Sequence, residues 1–215
     1  DISVALTGLD ADSYTWTISE YSQIYENMVI YFEFTCEREE PDTSIERPEG
    51  SGTAGDPFKI STVGELYWFT GFTNNYVAVG EDFAVERNKA HAILMNDITV
   101  NPELLTDIYG LNANSSLLAD WTPIGYYSDY SGTFDGQGYS ISGLYYNTKG
   151  YQHEYYGFIA RMGENGAVKD LTLKDTYFFR VYTGNVTPYA AGIVAFASEA
   201  SNRIENCHFD GVAGT

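Results

Sequence analysis

Two short segments in the second half of the chain decide the fold, Gly157-Phe158-Ile159-Ala160 and Val168-Lys169-Asp170-Leu171. The first recurs 35 residues later as Gly192-Ile193-Val194-Ala195, and the second recurs 36 residues later as Ile204-Glu205-Asn206-Cys207. Each unit reads as an apolar strand led by glycine, a turn, and a second apolar strand containing Asp or Asn. Ile141-Ser142-Gly143-Leu144 fits that second strand one unit earlier, at an offset of 27 residues. Constant strands separated by variable loops are typical of a solenoid, whose stacked turns form the core.

Asp170 and Asn206 occupy matching positions in the second repeated segment. Asn and Asp accept left-handed backbone angles more readily than most residues, so we expect both to lie at corners between strands. Cys207 matches Leu171 and Leu144 by the same alignment. Because a free cysteine behaves as a small apolar side chain, a buried thiol is expected there.

A helix is predicted soon after the short strand Phe58-Lys59-Ile60. Thr62 precedes Glu65 by three positions, which is the spacing of a capping box. Leu66, Phe69 and Thr73 share one helix face, with Trp68 and Phe72 beside them, and Asn74-Asn75 is a plausible end. A helix at the end of a solenoid protects exposed strand edges and apolar core, so residues 58–75 are interpreted as a cap.

Composition divides the chain into three predicted segments. Residues 1–36 alternate apolar and polar positions as three strands, fewer than the roughly seven of a full sandwich. They are interpreted as an incomplete β-sandwich-like segment or a sheet that docks on the rest. Residues 37–57 are charged and rich in Gly and Pro, as in an exposed linker. Residues 58–215 form the predicted solenoid.

Charge and cysteine content exclude several classes of protein. The 215 residues carry 30 acidic and 11 basic side chains, a net charge of −19, which disfavours nucleic acid and anionic membranes as partners. No apolar run approaches the roughly 18 residues of a membrane span. Cys36 and Cys207 do not form a C-x-x-C motif, which excludes zinc ribbons and thioredoxin-like sites. Two buried free thiols are favoured over a disulfide, although two cysteines leave the redox compartment open.

The segments Trp121-Thr122-Pro123-Ile124-Gly125 and Gly132-Thr133-Phe134-Asp135-Gly136-Gln137-Gly138, followed by the Gly-led repeats, resemble bacterial surface proteins with GLUG repeats. The resemblance covers about residues 50–215. It implies a right-handed parallel β-helix in large secreted or cell-wall proteins that are mostly adhesin-like and often carry immunoglobulin-like modules. Phe158-Ile159 and Ile193-Val194 depart from the consensus spelling of the repeat but keep its apolar character.

Many parallel β-helices are polysaccharide lyases or hydrolases, which gather carboxylates on one strand face. A glycosidase needs two carboxylates a few ångströms apart. Asp135 sits in the most specific motif, where a turn residue that closes a strand is the favoured interpretation. The candidate carboxylates are Asp135, Asp170, Asp175, Glu205 and Asp210.

Nineteen tyrosines are the most unusual feature of the composition. In a Tyr-Tyr doublet within a strand, one ring faces inward and one outward. Outward rings near Tyr127, Tyr146 and Tyr155 are therefore candidate residues of a platform for a sugar or a protein partner. No residues are assigned to a metal, although an acidic extracellular protein can bind calcium through Asp, Asn and main-chain oxygens.

These observations predict an all-β protein: a right-handed parallel β-helix with a small helix-bearing N-terminal cap, preceded by a short β-sandwich-like segment. The expected function is that of a non-catalytic, adhesin-like module on the bacterial cell surface, with a host glycan or surface protein as partner. Two alternatives stay open. One is a polysaccharide-degrading enzyme of the β-helix type, and the other is a structural subunit of a surface filament that self-associates through an open solenoid end.

Overall fold

A computed structural model describes residues 44–75, 83–106, 110–111, 118–149, 154–181 and 189–214. The chain divides into two units between Glu37 and Arg38, and every described residue lies in the second unit, Arg38–Thr215. The sandwich-like segment predicted at residues 1–36 lies outside the described residues, as does the start of the predicted linker. The domain boundaries inferred from composition therefore stay predictions.

The described residues contain one α-helix, one short 3-10 turn and fourteen strands. In chain order these are β1 (Phe58–Ile60), α1 (Val63–Thr73), the 3-10 turn Arg87–Lys89, β2 (Ala92–Leu94), β3 (Ile98–Thr99), β4 (Thr133–Asp135), β5 (Ser140–Ser142), β6 (Tyr145–Lys149), β7 (Tyr155–Tyr156), β8 (Ile159–Met162), β9 (Ala167–Lys169), β10 (Thr172–Val181), β11 (Tyr189–Ala190), β12 (Val194–Ala197), β13 (Arg203–Glu205) and β14 (His208–Gly214).

Strands that follow one another along a turn belong to different sheets, and strands from successive turns lie side by side. The first sheet has the order β1-β2-β4-β9-β13, and the second has the order β3-β5-β10-β14, with β6 also paired to β10. Two further faces pair β7 with β11 and β8 with β12. All these pairings are parallel. The described part of the chain is thus a right-handed parallel β-helix of about four turns, as predicted.

The strand register confirms both long repeats. Ile159 pairs with Val194 and Val168 pairs with Ile204, which reproduces the offsets of 35 and 36 residues. Residues one repeat apart therefore stack directly on each other, and each apolar position of the repeat extends a column of core side chains.

The predicted placement of Ile141 one repeat before Val168 is wrong. Val168 pairs with Phe134 of β4, whereas Ile141 of β5 pairs with Leu173 of β10, on the second sheet. The two sheets carry the same local pattern of an apolar residue, one intervening residue, a turn residue and another apolar residue. A four-residue match therefore does not distinguish one sheet from the other.

The corners predicted at Asp170 and Asn206 are present. Their backbone φ angles are +51° and +50°, in the left-handed region. The two side chains also stack: Asn206 Nδ2 donates a hydrogen bond to Asp170 Oδ1 at 2.9 Å. The corner between the first and second sheets is thus built from polar residues that tolerate a backbone conformation disfavoured for most side chains.

The capping box of α1 is also confirmed. Thr62 Oγ1 accepts a hydrogen bond from the amide of Glu65, and the Glu65 carboxylate accepts one from the amide of Thr62, both at 3.1 Å. The helix ends at Thr73, with Asn74 as its C-cap. The capping box therefore pairs the amides of Thr62 and Glu65, which fixes where the helix begins.

Aromatic side chains attach α1 to the solenoid. The ring of Phe58 on β1 lies 5.1 Å from that of Trp68 and 5.5 Å from that of Phe72, measured between centroids. Phe69 reaches Phe134 on β4 at 5.8 Å. The outer edge of β1 is also engaged, because the amide of Lys59 donates to the carbonyl of Glu49 at 2.9 Å. The β1 end of the solenoid is therefore closed by the helix and the preceding segment.

Candidate ligand-binding surface

One of the three tyrosines predicted to form a platform is not at the surface. Tyr146 is only 6% exposed, and its ring lies 4.6 Å from that of the buried Tyr156. The prediction of an outward Tyr146 is wrong. Its neighbour Tyr145 is buried too, so the alternation of side chains along β6 does not leave either ring of that doublet exposed. Tyr127 is exposed and packs edge-on against Tyr126 at 4.9 Å.

Tyr155 instead belongs to a different group of rings. It stacks on Tyr189, with 5.2 Å between centroids and 14° between ring planes, and it lies 5.0 Å from Phe196. The stacking follows from the fold, since Tyr155 on β7 pairs in register with Tyr189 on β11. Tyr189 is 50% and Phe196 is 38% exposed. We call Tyr155, Tyr189 and Phe196 the aromatic cluster.

The aromatic cluster joins side chains from neighbouring faces of the solenoid. On β7, Tyr156 is buried, so the alternating Tyr155 faces outward. Phe196 on β12 is the in-register partner of Arg161 on β8, and both side chains are partly exposed. Rings from β7, β11 and β12 therefore meet at one partly exposed place on the surface.

Charged side chains border the aromatic cluster. Arg161 forms an ion pair with Asp129, between Arg161 Nη2 and Asp129 Oδ1. Glu154 precedes Tyr155 and forms a hydrogen bond with its side chain. Partial burial, with the nearby Glu154 carboxylate, raises the pKa of the Tyr155 phenol, whereas Arg161 acts in the opposite direction. The phenol therefore keeps its proton at neutral pH and donates it in the hydrogen bond to the Glu154 carboxylate.

The carboxylates considered for catalysis mostly support the backbone. Asp135 accepts hydrogen bonds from the amide and the side chain of Gln137, at 2.9 and 2.6 Å, and pairs with Lys169 at 2.7 Å. These contacts match the turn role favoured for Asp135. Asp170 accepts the bond from Asn206 at the corner described above.

Asp175 bonds to the backbone in the same manner. Its two carboxylate oxygens accept hydrogen bonds from the amides of Leu104 and Leu105, at 2.6 and 2.7 Å. Glu205 and Asp210 are exposed on β13 and β14. Glu205 lies 3.8 Å from Arg203 on the same strand. A β-solenoid is the framework of enzymes and of non-catalytic proteins alike, so the fold itself does not decide between them.

Cys207 is a free thiol in the described part of the chain. It packs against the core at the position of Leu171, and burial is the main cause that raises its pKa. Cys36 lies outside the described residues. None of the described helices is long and apolar enough to cross a membrane. Within the described ranges, no three His, Cys, Asp or Glu side chains are grouped to hold a metal ion. Calcium binding stays a prediction.

Comparison with known proteins finds no matching family model, no matching curated protein and no matching solved structure. The resemblance to GLUG-repeat surface proteins therefore stays a prediction.

Sequence reasoning found Tyr155 but missed the residues that surround it. The signal was present in the repeat: extending the match between residues 157–160 and 192–195 by one residue places Arg161 opposite Phe196, also 35 positions apart. Tyr189 follows Tyr155 by 34 residues, which is one turn of the solenoid.

Proposed function

We propose that the chain is a non-catalytic, adhesin-like module that binds a glycan at the aromatic cluster. The observation that carries this proposal is the meeting of Tyr155, Tyr189 and Phe196 in one partly exposed site. The apolar C–H faces of a sugar ring pack well on aromatic rings, which offer a large contact area and lose little conformational freedom on binding. Exposed aromatic groups of this kind commonly mark a binding site.

The border of the aromatic cluster supplies the polar contacts that a sugar needs. Beyond its ion pair with Asp129, Arg161 has further N–H donors, and the carboxylates of Asp129 and Glu154 have further lone pairs. The Tyr155 hydroxyl, which donates its proton to Glu154, can accept a hydrogen bond. Sugar hydroxyl groups both donate and accept, so a mixed rim suits them better than a rim of one charge. This combination favours a glycan over a purely apolar ligand.

The non-catalytic part of the proposal is supported by the engagement of the candidate carboxylates. Asp135, Asp170 and Asp175 are each bound to a turn, a corner or a pair of backbone amides. A general acid or a nucleophile needs an oxygen directed at the substrate. The location on a bacterial cell surface rests on the resemblance to GLUG-repeat proteins and on the acidic composition.

A glycan array probed with the purified chain, with and without calcium, tests the proposal. Binding of the best glycan is then measured by calorimetry for Tyr155→Ala and Tyr189→Ala, each expected to weaken binding about tenfold because a ring contact is lost. Tyr139→Ala is the matched control, since Tyr139 is 39% exposed in the turn between β4 and β5. Equal affinity for all four proteins, or no glycan bound at all, would refute the assignment of the site.

A further inference from the structure

One carboxylate is held directly beside the aromatic cluster. Glu154 is exposed and precedes Tyr155 in the chain. Its carbonyl oxygen accepts a hydrogen bond from the amide of Tyr189 at 2.6 Å, so its backbone is fixed between β7 and β11. Its carboxylate accepts a hydrogen bond from the Tyr155 hydroxyl. Backbone and side chain together therefore hold a negative charge at the edge of the stacked rings of Tyr155 and Tyr189.

The charges around the aromatic cluster do not cancel. The Arg161 guanidinium is already compensated, because it forms an ion pair with Asp129. Among the ion pairs formed by the described residues, none includes Glu154. The sequence segments that adjoin β7 and β11, residues 150–153 and 182–188, contain no Lys or Arg. Two carboxylates and one guanidinium thus leave one net negative charge at the border of the cluster.

The electrostatic effect at the Tyr155 hydroxyl has the same sign. Partial desolvation is the largest cause that raises the pKa of this phenol, and the Glu154 carboxylate comes next. Arg161 lowers the pKa, and its effect is smaller than that of Glu154. The phenol therefore experiences a negative potential, and a ligand that reaches it experiences the same potential.

The rings of the cluster add to this attraction for a positive charge. The face of an aromatic ring carries partial negative charge and attracts ammonium groups that approach it. Tyr189 and Phe196 are the two most exposed rings of the cluster. A carboxylate beside exposed aromatic faces therefore favours a ligand that is both cationic and able to pack on a ring, and the net charge of −19 disfavours an anionic one.

We propose that the glycan bound at the aromatic cluster carries a protonated amino group, as in a hexosamine whose nitrogen is not acetylated. The proposal rests on the function proposed above, glycan binding at this cluster, and specifies the charge of the ligand. The sugar ring packs on the exposed aromatic rings, and its ammonium group pairs with the Glu154 carboxylate. That carboxylate has lone pairs left after it accepts the hydrogen bond from Tyr155.

Two oligosaccharides of equal length and linkage test this proposal, a β-1,4-linked glucosamine oligomer and its fully N-acetylated counterpart. Acetylation removes the positive charge and keeps the sugar ring. Calorimetry measures both dissociation constants at a pH at which the free amines are protonated. The oligomer with free amines is expected to bind the wild-type chain about tenfold more tightly than the acetylated one.

A protein with a net charge of −19 attracts any polycation, so variants must separate the site from this general attraction. Glu154→Gln is expected to bring the ratio of the two dissociation constants close to one. Glu49→Gln is the matched control: it makes the same change in net charge at an exposed side chain beside β1, and the tenfold ratio should persist. Tyr189→Ala is expected to weaken the binding of both oligomers, because it removes a ring on which either sugar packs.

The possible failures distinguish this proposal from the one it rests on. If the acetylated oligomer binds as tightly as the other and its binding depends on Tyr189, the positive charge is refuted and the glycan site stands. A preference for free amines that persists in Glu154→Gln reflects general attraction and overturns the proposal. If neither oligomer binds and no glycan of the array binds, both proposals are wrong. If the cluster binds only glycans without free amines, the proposed charge alone is wrong.

Discussion

Replacing Asn101 with Ala removes a fully buried amide group that joins three segments of the protein. Asn101 Oδ1 accepts a hydrogen bond from the amide of Ala119 at 2.9 Å. Its Nδ2 donates to the carbonyl oxygens of Ala119 and Gly143, at 3.1 and 2.8 Å. The side chain therefore fastens the loop after β3 to the corner after β5.

The expected loss of unfolding free energy is about 3 kcal/mol, because three hydrogen bonds each contribute about 1 kcal/mol net. The backbone groups of Ala119 and Gly143 lose their hydrogen-bond partner in a site from which water is largely excluded. Water therefore does not replace the lost hydrogen bonds. A domain is typically stable by only about 5–15 kcal/mol, so the effect is large enough to measure with confidence.

Urea unfolding measures this difference. With a slope of about 3 kcal/mol per molar urea, the midpoint is expected to fall by about 1 M at an unchanged slope. Asn96→Ala is the matched control: Asn96 Nδ2 also donates to two carbonyls, those of Ser61 and Asp97, at 3.0 and 2.7 Å, but in an exposed site. We expect it to cost less than about 1 kcal/mol. If Asn101→Ala lowers the free energy of unfolding no more than Asn96→Ala does, the reasoning is refuted, because burial then does not increase the contribution of these hydrogen bonds to stability.

Three further outcomes follow from local geometry. Gly143→Ala is expected to lower Tm more than Gly138→Ala. Both glycines have a positive φ, so alanine costs about 1 kcal/mol of backbone strain at either position. At Gly143 the new Cβ would also lie 2.0 Å from a backbone oxygen, whereas at Gly138 no atom lies within 4 Å of it. Two hydrogen bonds from Ser140 lower the pKa of the Asp97 carboxyl. The stability that they contribute is lost as the pH falls through this lowered pKa. Asp97→Asn should therefore reduce the fall of Tm at acid pH. Burial is the main cause that raises the pKa of the Cys207 thiol, so the thiol should be alkylated faster at a given pH after the protein is unfolded. Mass spectrometry of the peptide that contains Cys207 measures the rate. Equal rates in the folded and unfolded protein would contradict the partial burial of this thiol.

The solenoid is readable from sequence because residues one repeat apart become neighbours in space. Val168 and Ile204 have the same chemistry because they occupy successive places in one core column. Asp170 and Asn206 are alike because each sits at a left-handed corner. In such folds a local pattern and its repeat spacing together specify strand, face and register, which a single strand does not.

The errors arose where that spacing was missing. Ile141 lies on the second sheet, 32 residues before its partner Leu173, and four residues alone do not distinguish that sheet from the first. Alternation along β6 predicts that one ring of the Tyr145-Tyr146 doublet is exposed, but both rings are buried. Whether a side chain that faces away from the core is buried depends on its neighbours from distant parts of the chain. The alternation of residues along a strand does not predict those neighbours.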